Sequence, residues 1–160
     1  MAEGPALDPR PAKAAMTDGL RRTESLGYQI NHLARLLARA LAARTAPYGV
    51  VPGQFAQLLA LYEQDGLSQR ELCDRISIEQ PTMANTLQRM QRDGLVQCVP
   101  DPDDGRRMRV HLTERARAIE PELVTAARAV NAAAADRLTE AETAEYLRLT
   151  ARLIQSLEAT

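Results

Sequence analysis

The chain has 160 residues, enough for one ordinary domain that buries a core without disulfides or metal. Hydrophobic residues make up 45% but aromatic residues only 3%, so we expect an interior of Leu, Ala, Val and Ile, a composition that favours helices. With a net charge of -1 the chain is not strongly basic, so overall charge does not indicate a nucleic-acid partner. Such a partner has to be judged from the local distribution of charge.

Composition also argues against a membrane protein, a metal site and an enzyme. No apolar run approaches the roughly 20 residues that cross a bilayer, and the first residues lack the apolar segment of a signal peptide. Cys73 and Cys98 have no metal-ligand spacing. Neither His32 nor His111 has a catalytic partner at a recognisable spacing, and His111 is most simply a strand residue facing solvent. We expect a soluble cytoplasmic protein with no catalytic residues, metal or cofactor.

The N-terminal part of the chain predicts a tail followed by two helices. Residues 1–20 contain several prolines and no apolar period, which predicts a disordered tail. From Glu24 to Thr45 apolar side chains recur every three or four residues, as in an amphipathic helix that ends near Pro47. A second helix of about three turns is predicted from Pro52 to the turn at Asp65.

The next segment predicts a helix-turn-helix. Ser68 and Glu71 form a capping box, in which the hydroxyl and the carboxylate satisfy two backbone donors, and so begin a short helix that ends at about Arg75. Ser77 is predicted to cap the following helix, with Pro81 in its first turn. Two helices separated by roughly three or four residues make a helix-turn-helix.

A β-hairpin is predicted between Leu95 and Leu112. In the stretch VPDPDDGRRMRVHL, the residues Asp103, Asp104 and Gly105 form a turn motif, after which apolar and polar residues alternate as in a half-buried strand. Taken alone, such a turn is most simply a solvated tip whose charges keep a sheet edge soluble.

Two further helices are predicted before the C-terminus. Thr113 is expected to cap a helix from Glu114 to about Arg137, with a break near Ile119 because Pro121 lies inside it. A second capping box begins the last helix, which carries one apolar stripe: Tyr146, Leu149, Leu153 and Leu157.

This order of elements resembles the MarR (multiple antibiotic resistance regulator) family of bacterial transcription factors. The stretch LSQRELCDRISIEQPTMANTLQRMQRDGLVQ is similar to the family's segment through its recognition helix. The stretch DPDDGRRMRVHLTERA is similar to its wing, with the D-x-R tip at Asp104-Gly105-Arg106. The resemblance covers the chain from about Glu24 onwards.

The resemblance implies a mainly α fold with a winged helix-turn-helix. A single domain is expected over 21–160, with the winged unit at 52–112. Helices over 24–46 and 113–158 are expected to pair in a homodimer, although in a monomer they could close one bundle by themselves. A two-fold dimer implies an inverted-repeat operator in double-stranded DNA, with half-sites about one helical turn apart.

The expected base contacts lie on the recognition helix. Polar side chains in its first turns can read base edges in the major groove, whereas the same face on an isolated amphipathic helix would simply be solvated. The following wing is what favours DNA. The predicted recognition residues are Gln80, Pro81, Thr82, Asn85, Thr86 and Arg89.

Further DNA contacts are expected from the wing and from the start of the preceding helix. Arg106 is expected to enter a narrow A·T-rich minor groove, with Asp104 accepting its forked donors and holding it extended. Arg107 is expected to touch phosphate, while Asp101 and Asp103 only shape the turn. A phosphate is expected at the positive end of the helix dipole, beside Ser68, Gln69 and Arg70. Phosphate contact and ion pairing are equal alternatives for Arg75, Arg92 and Arg109.

The expected function is a dimeric, sequence-specific transcriptional regulator, a repressor released by a small ligand. The alternative is a winged-helix module that binds a protein, although such an interface favours apolar anchors over a polar helix face. The resemblance implies a small aromatic or anionic effector, for which the candidates are Tyr28, Asn31, His32, Tyr48 and Phe55. Ordinary packing is an equal alternative for each. Cys73 is expected to be a buried, inert thiol rather than a redox switch, and nothing supports Cys98 as one.

Overall fold

The computed structural model of the chain describes residues 19–159, so nearly all of the tail predicted over 1–20 lies outside the described residues. Contacts within the chain divide it into two units, one ending at Leu33 and the other beginning at Ala34. The boundary falls inside the first helix, α1 (Leu26–Thr45).

The second unit contains a helix-turn-helix and a small sheet, and it is mainly helical, as predicted. A short 3-10 turn, Ala46–Tyr48, precedes the remaining elements. In chain order these are α2 (Pro52–Glu63), β1 (Leu67–Ser68), α3 (Gln69–Ile76), α4 (Gln80–Arg92), β2 (Val96–Pro100), β3 (Met108–Leu112), α5 (Glu114–Ala118), α6 (Glu120–Ala134) and α7 (Glu140–Glu158).

The turn between α3 and α4 differs from the prediction. Ser77 does not cap α4; it ends α3 in the left-handed region, at φ 57°, and its amide donates to the carbonyl of Cys73. The residue before α4 is Glu79, whose side chain makes no capping bond. Pro81 does lie in the first turn of α4, where its missing amide leaves one donor fewer to satisfy.

The predicted break in the long helix is confirmed. The Oγ1 of Thr113 accepts the Ala116 amide at 3.1 Å and begins α5. Ile119 separates α5 from α6, and Pro121 lies in the first turn of α6. A proline is tolerated there because backbone amides in the first turn have no acceptor within the helix, so the missing N–H costs no helical hydrogen bond.

A third strand, β1, has no counterpart among the predicted elements. Leu67 pairs with Val110 and Ser68 with Arg109, which makes β3 the central strand of an antiparallel sheet ordered β1-β3-β2. Two residues are too few to show the alternation that predicts a strand. Because α3 begins directly after Ser68, this pairing joins the hairpin to the start of the helix-turn-helix.

One apolar core lies beneath the helix-turn-helix and the sheet. Its fully buried side chains come from α2 to α4, from the strands and from α6, and include Leu58, Leu72, Met83, Met90, Val110 and Leu123. Burial of one such side chain is worth about 1.5–3 kcal/mol. Helix α7 contributes nothing to this core, since none of its residues is buried.

Asp65, in the turn after α2, ties three segments of the second unit together. Its Oδ1 accepts the Leu112 amide at 2.8 Å, and its Oδ2 accepts Arg117 Nη2 at 2.6 Å and lies 3.0 Å from His111 Nδ1. Partial burial works to raise the pKa of Asp65, but the Leu112 amide, His111 and Arg117 outweigh it and lower that pKa. The prediction that His111 faces solvent is therefore wrong: the ring is half-buried against Asp65.

Replacing Asp65 with Ala should lower the free energy of unfolding by about 1–3 kcal/mol at neutral pH, because the Leu112 amide loses its acceptor. The folded carboxyl has a pKa below its ordinary value of 3.8. Its contribution is therefore present above that value and lost as the pH falls through the folded pKa. Urea denaturation at several pH values measures both effects. Glu63→Ala, at the exposed end of α2, is the control, and equal stability of Asp65→Ala and wild type at neutral pH would contradict the assignment.

Candidate nucleic-acid interface

Helix α4 has one face in the core and one in solvent. Met83, Leu87 and Met90 are buried and face the core. The opposite face carries most of the predicted recognition residues, all exposed: Gln80, Pro81, Thr82, Asn85 and Arg89. Thr86 differs, because it is half-buried and its hydroxyl donates to the Thr82 carbonyl at 2.9 Å. The exposed face therefore presents amides, a hydroxyl and a guanidinium over a fixed apolar base.

The start of α3 forms the predicted capping box. The Ser68 Oγ accepts the Glu71 amide at 3.2 Å, and the Ser68 amide donates to Glu71 Oε2 at 2.7 Å. Bonds from Ser68, together with the charge of Arg109, lower the pKa of Glu71. The Gln69 side chain reaches across to Gln80 in α4, with its Nε2 2.8 Å from Gln80 Oε1. Arg70 is exposed beside it.

An open groove separates the start of α3 from the wing, the hairpin of β2 and β3. Its walls come from both elements and bring the cations Arg70 and Arg107 to one surface. The lining residues are Ser68, Gln69, Arg70, Glu71, Asp74, Arg107 and Met108. The residues predicted at the helix start therefore share a surface with one of the predicted wing residues.

At the tip of the wing, the carboxylate of Asp104 bonds to neighbouring groups of the same turn. Asp104 Oδ1 accepts the Arg106 amide at 3.1 Å, and its Oδ2 pairs with Arg107 Nε at 3.2 Å. The predicted contact between Asp104 and the Arg106 guanidinium is thus absent, because the amide bond turns the free carboxylate oxygen towards Arg107. Arg106 is exposed, and its guanidinium has no partner among residues 19–159.

Arg109 joins the base of the wing to α3. Its Nε donates to Asp101 Oδ2 at 2.6 Å, and its Nη1 donates to Glu71 Oε2 at 3.1 Å and to the Gly66 carbonyl at 3.2 Å. Asp101 is buried, and bonds from the Asp103 amide and from Arg109 lower its pKa. Of the alternatives left open for Arg109, the structure therefore shows the ion pair, and Asp101 does more than shape the turn.

The other end of α4 is held by residues that the sequence patterns did not single out. Gln54 Nε2 donates to Asp93 Oδ2 at 2.6 Å, and Arg115 Nη1 donates to the Asp93 carbonyl at 2.7 Å. Arg115 Nη2 also donates to the Tyr48 carbonyl at 2.7 Å. In the sequence, one residue indicates such a contact: Gln54 is a polar residue on the inward face of α2, beside Leu58.

The candidate effector residues fall in both units. In the first, the rings of Tyr28 and His32 lie 6.0 Å apart, and Asn31 Nδ2 donates to the Gly27 carbonyl at 2.8 Å. In the second, Phe55 is buried in the core and Tyr48 is half-buried. Each has a packing or helix-stabilising role, and contact with an effector stays a prediction.

The thiols fit the expected inert role. Cys73 is buried, and burial raises the pKa of both Cys73 and Cys98, which disfavours the reactive thiolate. Over residues 19–159 no cluster of His, Cys, Asp and Glu could hold a metal ion. No helix in the same stretch is long and apolar enough to cross a bilayer.

Comparison with known proteins agrees with this geometry. A model of the MarR family matches residues 48–107, from the 3-10 turn to the wing tip. The HTH-type transcriptional repressor Rv2887 of Mycobacterium tuberculosis is 28% identical over 135 residues, which are 84% of this chain and 97% of the relative. The relatives are transcriptional regulators rather than enzymes.

Solved structures give the same result over most of the chain. A probable transcriptional regulator from Pseudomonas aeruginosa is 30% identical with a TM-score of 0.77, over 83% of this chain and 99% of that protein. The PcaV transcriptional regulator of Streptomyces coelicolor, solved with its natural ligand, is 25% identical with a TM-score of 0.78, over 87% of this chain and 98% of PcaV. With its winged helix-turn-helix and these relatives, the chain belongs to the MarR family.

Proposed function

We propose that the protein is a dimeric, sequence-specific DNA-binding repressor that a small ligand releases from its operator. The observation that carries this proposal is the exposed polar face of α4 over the buried Met83, Leu87 and Met90. A face of this kind, on a helix fixed by its own core, suits direct reading of base edges.

The recognition helix has the dimensions and chemistry for the major groove. Its 13 residues extend for about 20 Å, and the groove is about 12 Å wide. Gln80 and Asn85 carry amides that both donate and accept, and Thr82 carries a hydroxyl. Because these groups lie in the first two turns, the N-terminal part of α4 enters the groove and the buried side remains in the core.

The wing and the start of α3 supply the positive charge. Arg106 is exposed and unpaired within the described chain, so it enters the minor groove without first breaking an ion pair. Arg107 is paired with Asp104, so it contacts a phosphate only after that ion pair breaks. Arg70, across the groove from Arg107, contacts the same DNA backbone.

Dimerisation rests on the exposed apolar stripe of α7. Tyr146, Leu149 and Leu153 share one face of this regular helix. Tyr146 and Leu149 are each 44% exposed and Leu153 is 37% exposed. A continuous apolar face of this kind marks an interaction site. A second copy of the chain covers it, and the two-fold symmetry of such a dimer matches an inverted-repeat operator.

Release by a ligand is the remaining part of the proposal, and PcaV, a relative solved with its natural ligand, supports the binding of a small molecule. A small aromatic or anionic effector releases the operator if it binds the DNA-free arrangement more tightly than the DNA-bound one. Tyr28, Asn31, His32, Tyr48 and Phe55 remain the candidate contacts.

Replacing Arg106 with Ala should weaken binding to the operator by about 1.5–3 kcal/mol, the value of charge-assisted hydrogen bonds, and leave the fold intact. Fluorescence anisotropy at fixed salt, with duplexes from the intergenic regions beside the gene, measures the affinity. Arg148→Ala removes an arginine that is paired with Glu145 on α7 and is the control. Wild-type protein that prefers no duplex over competitor would contradict DNA recognition, and an unchanged affinity of Arg106→Ala would contradict the role of the wing.

Placing aspartates at Leu149 and Leu153 together should convert the dimer to a monomer, because charges in an apolar interface cost several kcal/mol. Sedimentation velocity measures the change. The winged unit should keep its helical content, since α7 contributes no buried residue to the core. Arg152→Ala, a neighbouring exposed change, should leave the dimer intact. A double variant that still sediments as a dimer would place the interface elsewhere.

A further inference from the structure

The two helices of the helix-turn-helix are linked by a pair of glutamines. Gln69 is the first residue of α3 and Gln80 the first of α4. The Nε2 of Gln69 lies 2.8 Å from Gln80 Oε1 and 3.3 Å from the Gln80 backbone carbonyl oxygen. One amide of α3 therefore contacts both the backbone and the side chain of the residue at the start of the recognition helix.

This double contact determines which way the Gln80 amide faces. A backbone carbonyl only accepts hydrogen bonds, so the Gln69 atom beside it must be the amide nitrogen. The Gln80 atom beside that nitrogen must then be the oxygen. The Nε2 of Gln80 consequently points away from Gln69, and no group in residues 19–159 accepts its hydrogens. The oxygen retains a second lone pair.

We propose that Gln69 is a positioning residue that orients Gln80 to recognise adenine in the major groove. This inference rests on the proposed entry of α4 into that groove. Adenine presents an acceptor, N7, beside a donor, the N6 amino group. Gln80 Nε2 donates to N7, and the second lone pair of Gln80 Oε1 accepts from N6. Guanine presents two acceptors at the same edge and leaves that lone pair without a donor.

The contribution of Gln69 is to select this arrangement before DNA arrives. A free glutamine side chain samples several rotamers and both orientations of its amide, and ordering it opposes binding. The contact with Gln69 restricts that freedom. It also means that Gln69 does not act chiefly as a phosphate ligand, in contrast to the exposed neighbouring Arg70.

Selection from randomised duplexes tests the proposal with four full-length proteins: wild type, Gln80→Ala, Gln69→Met and Arg70→Met. Methionine has a size similar to glutamine but cannot donate to Gln80. We expect wild type to select an adenine at a position where Gln80→Ala and Gln69→Met both lose the preference, by about tenfold in relative affinity. Arg70→Met should weaken binding to all duplexes evenly and keep the preference. Matching melting temperatures establish that the variants are folded.

The alternative outcomes separate the inference from the proposed function. If wild type selects no sequence, the proposed function fails and the inference falls with it. If wild type selects a sequence and Gln69→Met keeps every base preference, or loses affinity evenly as Arg70→Met does, the positioning role alone is overturned. Loss of preference at a guanine would overturn the donor and acceptor arrangement.

A chemical substitution in the DNA supplies a readout that a merely structural role would not move. Replacing the selected adenine with 7-deazaadenine removes the N7 acceptor and keeps the N6 donor. Wild-type affinity should fall about tenfold, that of Gln80→Ala should not change, and that of Gln69→Met should change less than wild type. An equal loss in all three proteins would contradict the proposal.

Discussion

The contact of Arg109 with three partners is the interaction on which the geometry of the interface depends. Arg109 lies on the central strand β3, and its guanidinium reaches Asp101 in the wing and Glu71 in the capping box of α3. Hydrogen bonds lower the pKa of both carboxyls, so each stays charged to a lower pH than usual. A single side chain therefore joins the wing to the start of the helix-turn-helix and fixes the position of one against the other.

Contacts within the wing explain why it is acidic in a protein proposed to bind a polyanion. Asp101 is buried against Arg109, and Asp104 faces the backbone of its own turn and Arg107. Both carboxylates are thus bonded to groups of the wing itself. The arginines accordingly differ in role although they are close in sequence. Arg109 joins the wing to α3, Arg107 is exposed but paired with Asp104, and Arg106 is exposed with no partner among residues 19–159.

Sequence patterns predicted those parts of the fold that local interactions determine. The capping boxes, the break at Pro121 and the exposed face of α4 all depend on residues a few positions apart, and the structure contains each of them. The strand β1 and the partners of Arg109 were not predicted because they depend on register: Gly66 and Arg109 are separated by 43 positions. The contact of Gln69 with Gln80 was not predicted for the same reason, since it exists only once α3 and α4 have packed.

Helix α4 is fastened at both ends. Gln69 holds its first residue, while Gln54 and Arg115 hold Asp93 just beyond its last turn. Rotation of α4 about its own axis would therefore break hydrogen bonds at one of its ends. Because Arg115 belongs to α5 and also donates to the Tyr48 carbonyl, one side chain links the end of α4 to α5 and to the segment before α2. A displacement of the recognition helix must therefore break these hydrogen bonds or carry the groups at their other ends along with it.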